Sequence, residues 1–148
     1  MELEKLKEII ADVKKQISSA YEANGDLNNA ILFYKDYLNS IEKETASDIA
    51  GLGTLYNEQA DKLTGTAKTD AYKNADATYS DLADKFPNAI EFAYFMRARV
   101  NSYMDPDTKL GLAKPYYEKL SELISAKTEK DNADNARLVE CYRYLGYY

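Results

Sequence analysis

Ala30-Ile31-Leu32-Phe33-Tyr34, Ala75-Asp76-Ala77-Thr78-Tyr79 and Ala113-Lys114-Pro115-Tyr116-Tyr117 share one spacing, Ala-x-x-x-Tyr. Four residues make just over one helical turn, so in each stretch the alanine and the tyrosine lie on one face. One such pair is common on any helix. Three, each seated in the second helix of a helix pair, mark an internal repeat. The first helices echo one another as well. Ile49-x-x-Leu52-Gly53-x-x-Tyr56 is matched by Tyr142-x-x-Leu145-Gly146, and more loosely by Lys14-x-x-Ile17-Ser18-x-x-Tyr21 and Tyr94-x-x-Arg97-Ala98. A small residue such as Gly53 or Ala75 lets two backbones approach closely. The aromatic one turn away, Tyr56 or Tyr79, then fills the space beside the contact.

The rest of the chain reads as helices and their punctuation. Leu3, Leu6, Ile10, Val13, Ile17 and Tyr21 recur in steps of three and four and predict a helix over about Glu2–Ala23. Gly25 suits the left-handed turn that stops it, and Asp26 caps the next helix, which runs to about Ile41. Thr45-x-x-Asp48 resembles a capping box ahead of a third helix, about Ala46–Leu63. Gly65 interrupts, and a fourth helix is expected over about Thr69–Lys85, stopping before Pro87. A fifth follows over Asn88–Tyr103, and Asp105-Pro106-Asp107 forms a turn. Pro115 belongs in a first helical turn, where no intrahelical N–H bond is lost, so the sixth helix is expected to start near Gly111. A seventh should occupy about Ala133–Tyr148. No useful length shows strict alternation, so no sheet is expected.

These motifs resemble the tetratricopeptide repeat (TPR) signature: an aromatic, then Leu-Gly, then Tyr, followed by Ala, an aromatic and Pro. Pro87, eight residues after Tyr79, falls where that family closes a repeat. The resemblance covers about Ala11–Tyr148 and implies an all-α fold, a right-handed superhelical solenoid of antiparallel helix pairs with about seven helices. Residues 1–148 then form one domain, with repeats over about 11–44, 46–88 and 89–126 and a partial repeat or capping helix over 133–148. The first repeat fits the 34-residue period. The second is longer, with its extra residues around Ala60–Asp70, expected to lengthen a loop or extend both helices. The third carries Arg97 where leucine is expected. The fourth stops at Tyr148, just before its tyrosine slot, and reads as a fragment of a longer array. The repeat assigns Tyr21, Tyr34, Tyr56, Tyr79, Tyr117 and Tyr142 to packing positions, leaving Tyr103 and Tyr147 for binding.

Composition narrows the function. The 148 residues hold 14 tyrosines, one cysteine and no histidine or tryptophan. Without histidine the commonest general base and zinc ligand are missing, so neither a metal nor another cofactor is expected. Net charge is −6, with 25 acidic against 19 basic residues, which argues against nucleic-acid and anionic-membrane partners. The charged start Met1–Lys7 does not read as a signal peptide, and no apolar run is longer than Phe92–Met96, far too short to span a bilayer, so a soluble chain of undetermined compartment is expected. Carboxylate pairs such as Glu42/Glu44 and Asp81/Asp84 read as solvated helix faces. Cys141 has no histidine to activate it. Gly51-Leu52-Gly53 lies inside a helix with no Lys-Ser/Thr after it, and Asp105-Pro106-Asp107 lacks the spaced ligands of a calcium loop. No catalytic residue is assigned and no enzyme is expected.

A non-catalytic protein-interaction scaffold is the leading reading, binding a peptide or partner helix on the concave face typical of stacked helix pairs. By resemblance to TPR domains, the first helix of each pair lines that groove. The register places Lys15, Ser19 and Glu22 there from the first repeat, and Ser47, Ala50, Thr54, Asn57 and Glu58 from the second. Phe92, Phe95, Arg99 and Tyr103 follow from the third, and Glu140, Arg143 and Tyr147 from the partial repeat. Aromatic and arginine side chains dominate binding hot spots, which favours the Phe95/Arg99/Tyr103/Arg143 end. Alternatively, Phe92 and Phe95 are core, packed on Tyr116 or Tyr117. The TPR domains that clamp acidic chaperone tails use Lys and Asn on the first helix, Asn on the third, and Lys and Arg on the fifth. Lys15 fits the first position, but Ser19, Gly51, Phe92 and Met96 occupy the others, so that activity is not expected. The alternatives are a structural spacer, a homo-oligomer formed through the C-terminal helix, and glycan or small-molecule binding on an aromatic groove.

Overall fold

A computed structural model describes residues 2–147, apart from the side chain of Tyr147. Among the described residues there are seven α-helices and no strand. The helices are α1 (Glu2–Ala23), α2 (Leu27–Ser40), α3 (Ala46–Asp61), α4 (Gly65–Lys85), α5 (Ile90–Met104), α6 (Lys114–Ser125) and α7 (Asn132–Tyr147), with a 3-10 turn at Pro87–Ala89 before α5. The chain divides into two compact units, one ending at Ala75 and the next beginning at Asp76, so the boundary falls inside α4.

Local chemistry explains most of the boundaries. At the end of α1, Gly25 adopts φ 78°, its N–H donates to Glu22 O at 2.9 Å, and the Asp26 N–H donates to Tyr21 O at 2.9 Å. This pairing is a Schellman stop. Asp26 then caps α2 by accepting from the Asn29 N–H at 3.2 Å. The α3 capping box is complete: Thr45 Oγ1 accepts from the Asp48 N–H, and Asp48 Oδ2 accepts from the Thr45 N–H at 2.9 Å. A reciprocal pair, Asp131 and Asp134, starts α7 in the same way.

Two boundaries differ from expectation. Gly65, with φ 62°, begins α4 instead of interrupting before it, so the extra residues of the second repeat enter helices rather than a longer loop. The sixth helix starts at Lys114, three residues after Gly111. The buried Asp105 carboxylate accepts the N–H groups of Leu110 at 3.0 Å and Gly111 at 2.8 Å, which holds that stretch as a loop. Those same bonds commit Asp105 to backbone donors.

In the first unit α1 and α2 are antiparallel: Ser18 Oγ donates to Ala30 O at 2.6 Å near one end, and Lys14 Nζ meets Ser40 Oγ at 2.7 Å near the other. The core gathers Ala11, Ala30, Ile31, Tyr34, Tyr37 and Leu55. In the second unit α5, α6 and α7 pack in sequence around Ala98, Ala113, Tyr117, Leu120, Ile124, Cys141 and Tyr144. All three Ala-x-x-x-Tyr pairs are interior: Ala30, Ala75 and Ala113 are fully buried, and Tyr34, Tyr79 and Tyr117 are nearly so. That spacing is a packing device.

Two assignments in the first helices need correction. Tyr142 is not a packing tyrosine; it is 57% exposed, and Tyr144, two residues on, stacks on Tyr117 with ring centroids 4.7 Å apart. Two helical residues turn the side chain by about 200°, enough to move it across the helix. Gly146 likewise faces open space. A glycine that a close contact requires is Gly51 of α3. A Cβ there would fall 2.9 Å from Tyr34 Cζ and nearer still to its hydroxyl. That hydroxyl is fixed, donating to Asp48 O at 2.7 Å. Gly51→Ala is therefore expected to destabilise the first unit by about 2 kcal/mol through overpacking. Gly146→Ala should be no worse than neutral, because a Cβ there meets nothing. Thermal melts of both variants compare the two sites; equal melting temperatures would contradict the α2–α3 contact.

Candidate functional site

Each unit places two helices parallel to each other on one side of a third. In the first, Lys15 Nζ of α1 lies 3.9 Å from Asp48 Oδ1 at the start of α3, and Glu22, a little under two turns along α1, interacts with Glu58 near the end of α3. In the second, Phe95 and Arg99 of α5 meet Arg137 and Glu140 of α7 in the same order. These are the helices that the sequence motifs read as the first of each pair.

The α1/α3 face is polar. Lys15, Ser19, Ser47 and Thr54 are exposed, and Ala50, Glu22, Asn57 and Glu58 are half-buried. Lys15 also sits 5.1 Å from the Tyr37 ring centroid, and the Thr54 hydroxyl donates to Ala50 O at 3.0 Å. Burial, with the charge of Glu22 beside it, raises the Glu58 carboxyl above the usual range. Beneath this face Asp48 is buried. Its desolvation is outweighed by the Thr45 N–H, the Tyr37 and Thr45 hydroxyls and Lys15, so the carboxyl titrates below its ordinary value. Tyr37, desolvated and bonded to that carboxylate at 2.8 Å, is pushed up to about 12.

The α5/α7 face is aromatic and cationic. Two guanidinium groups lie over the Phe95 ring, Arg99 at 4.2 Å and Arg137 at 4.7 Å from its centroid. Arg99 holds Glu140 through two bonds, 3.1 Å from Nε and 2.7 Å from the terminal nitrogen, and the Tyr117 hydroxyl adds a third at 3.0 Å. The Glu140 bonds raise the Arg99 pKa against the opposing effect of burial, and burial beside Glu140 raises that of Tyr117. A cavity of about 470 Å³ opens next to this ion pair, lined by Pro106, Asp107, Thr108, Tyr117, Glu140, Arg143 and Tyr144. Arg143 is exposed and has no ion-pair partner among the described residues. Tyr103 is 47% exposed. Cys141 lies buried behind the wall, and its thiol, pushed up to about 11 by burial, stays protonated at neutral pH.

Phe95, Arg99, Glu140 and Arg143, which the sequence singles out, therefore come together. Phe92 does not join them: it is half-buried, edge-on to Tyr79 with ring centroids 6.2 Å apart. Phe95 packs partly on the second unit's core, and both arginines lie over its ring. The Tyr147 side chain and Tyr148 lie outside the described residues. Arg137 and the Pro106–Thr108 rim escape the sequence reading. Arg137 could have been found from its place one turn before Glu140 on α7, whereas the rim becomes visible only once Asp105 folds the loop.

No protein-family model and no curated protein sequence matches the chain. Among solved structures, it is similar to the C-terminal part of a TPR repeat-containing protein from Cytophaga hutchinsonii, with a TM-score of 0.69 and 31% identity over 93% of this chain. The chain has a tetratricopeptide-repeat fold. It spans about half of the solved TPR chain, 48%. No helix among the described residues is long and apolar enough to cross a membrane.

Proposed function

We propose that this TPR chain is a protein-interaction scaffold that binds an extended peptide or a partner helix, with the α5/α7 face and its adjoining cavity as the principal site. The observation that carries this reading is Arg143, without an ion-pair partner among the described residues, beside Tyr117 and Tyr144 in the lining of a 470 Å³ opening. Charge and aromatic surface in one concave patch is the composition of binding hot spots. Arg99 is a supporting residue here, since its guanidinium is already spent on Glu140. Arg143 offers the free charge, and the partner that suits it carries an acidic side chain beside an apolar one.

Screening the chain against a peptide array identifies ligands, and Arg143→Glu tests the site. Binding of an acidic-apolar peptide is expected to weaken tenfold or more, the scale of a charged hot spot, with an unchanged melting temperature. Arg99→Glu is a poor probe by comparison, because it breaks the Glu140 pair and perturbs the fold. Affinity indifferent to Arg143→Glu removes this end of the face from the site.

A further inference from the structure

Helix α1 turns the first four residues of its apolar stripe away from its own unit. α2 packs on the small residues Ala11 and Ser18, whereas Leu3, Leu6, Ile10 and Val13 are 62, 52, 46 and 45% exposed. Those four positions step three, four and three residues, the a/d spacing of a two-heptad coiled-coil seam about 15 Å long. Ile10 at an a position and Leu6 at a d position are the combination that favours two strands in a parallel coil, from which Leu3 at a and Val13 at d depart. One g/e pair beside the seam carries opposite charge, and the other g position is taken by Ile9, 58% exposed. Glu2 occupies a g position and Lys7 the e position five residues on, so in a parallel pair Glu2 of one helix faces Lys7 of the other. In an antiparallel pair e positions face each other, and Lys7 would meet Lys14 or Lys7. A membrane is a poor fit, because residues 2–15 carry as many acidic as basic side chains instead of the basic excess of an interfacial helix.

We infer that the exposed seam of α1 is a homodimer interface in which two copies of the chain pair in parallel through Leu3, Leu6, Ile10 and Val13. The seam is already helical, so dimerisation does not carry the ordering penalty of a short free helix. Its small size makes the dimer weak, populated over about 10 µM to 1 mM. The interface is independent of the proposed peptide site, which lies in the other unit.

Sedimentation velocity on the full chain over that range is expected to show mass rising towards twice the monomer. Leu6→Glu/Ile10→Glu should abolish the rise while leaving helix content and melting unchanged, since both side chains are exposed. Lys7→Glu should weaken the dimer about two- to fivefold, and adding Glu2→Lys in the same chain should restore it. A constant monomer mass, a dimer indifferent to Leu6→Glu/Ile10→Glu, strengthening by Lys7→Glu, or a monomer that instead sediments with phosphatidylserine vesicles overturns the inference.

Discussion

Asp48→Ala is expected to lower the unfolding free energy by about 3 kcal/mol at neutral pH. The Asp48 carboxylate accepts from the Thr45 N–H at 2.9 Å, the Thr45 hydroxyl at 2.8 Å and the Tyr37 hydroxyl at 2.8 Å, and it is 6% exposed. Removing it strands the buried Tyr37 hydroxyl and leaves the two Thr45 donors, at the exposed edge of the site, without their acceptor. It also opens the capping box that starts α3, in which each lost partner is typically worth about 1 kcal/mol. Lys15, at 3.9 Å and half in solvent, contributes little of the total. Denaturant unfolding monitored by circular dichroism measures the change, and a loss below about 1 kcal/mol would contradict a central role for this carboxylate. Tyr37→Phe should lose a smaller part, since only one of the three bonds goes.

The same residue gives the pH dependence its sign. Asp48 titrates below its ordinary value in the folded chain, so the unfolded state takes up the proton first. Its contribution is complete above about pH 4, the ordinary carboxyl pKa, and fades as pH falls through the lower folded value. Wild type should therefore lose stability more steeply below pH 4 than Asp48→Asn, which has no proton to gain there. Parallel acid limbs for the two proteins would show that other carboxylates govern acid unfolding.

What the sequence revealed follows from the range of each interaction. Ala30/Tyr34, Ala75/Tyr79 and Ala113/Tyr117 are legible because each pair is set within one helical turn, and all six side chains are interior. Gly25, Asp26, Thr45 and Asp48 are legible because cap chemistry is confined to four or five residues. The α1 stripe shows the limit of that reasoning. Periodicity announces a helix and an apolar face, but not which neighbour covers that face, and α2 chose the Ala11/Ser18 side, where backbones approach more closely. Tyr142 misled for a similar reason, since the echo of Leu52-Gly53 fixed a register that Tyr117 overrode by taking Tyr144 as its partner. At the candidate site Phe95, Arg99, Glu140 and Arg143 were legible individually. The Arg99–Glu140 bond spans 41 residues and becomes visible only when α5 and α7 lie side by side.

Arg97 is the sharpest case, because the residue that departs from the repeat pattern is held by a partner the pattern does not contain. Its guanidinium forms two bonds to Asp76 of α4, at 2.9 and 3.2 Å, donates to the Tyr116 hydroxyl at 3.1 Å and stacks 4.4 Å from that ring's centroid. Asn101 completes the cluster by donating to the same carboxylate at 2.9 Å and to Arg97 O at 2.8 Å. Burial disfavours the Arg97 charge, yet the bonds and charge of Asp76 more than compensate and raise its pKa. Arg97→Leu, which installs the residue expected from the family, should therefore destabilise the chain on its own by about 2–3 kcal/mol. It leaves the Asp76 carboxylate, 20% exposed, with Asn101 as its remaining described donor. Asp76→Ala in the same chain should recover much of that loss, because a pair replaced by apolar groups no longer strands a charge. The double-mutant cycle is expected to give a coupling of at least about 1 kcal/mol between positions 76 and 97. If Arg97→Leu alone is neutral or stabilising, the cluster is a surface decoration and the third repeat tolerates either residue. If the cycle shows the expected coupling, Arg97 and Asp76 form one structural unit that substitutes for the leucine of the repeat.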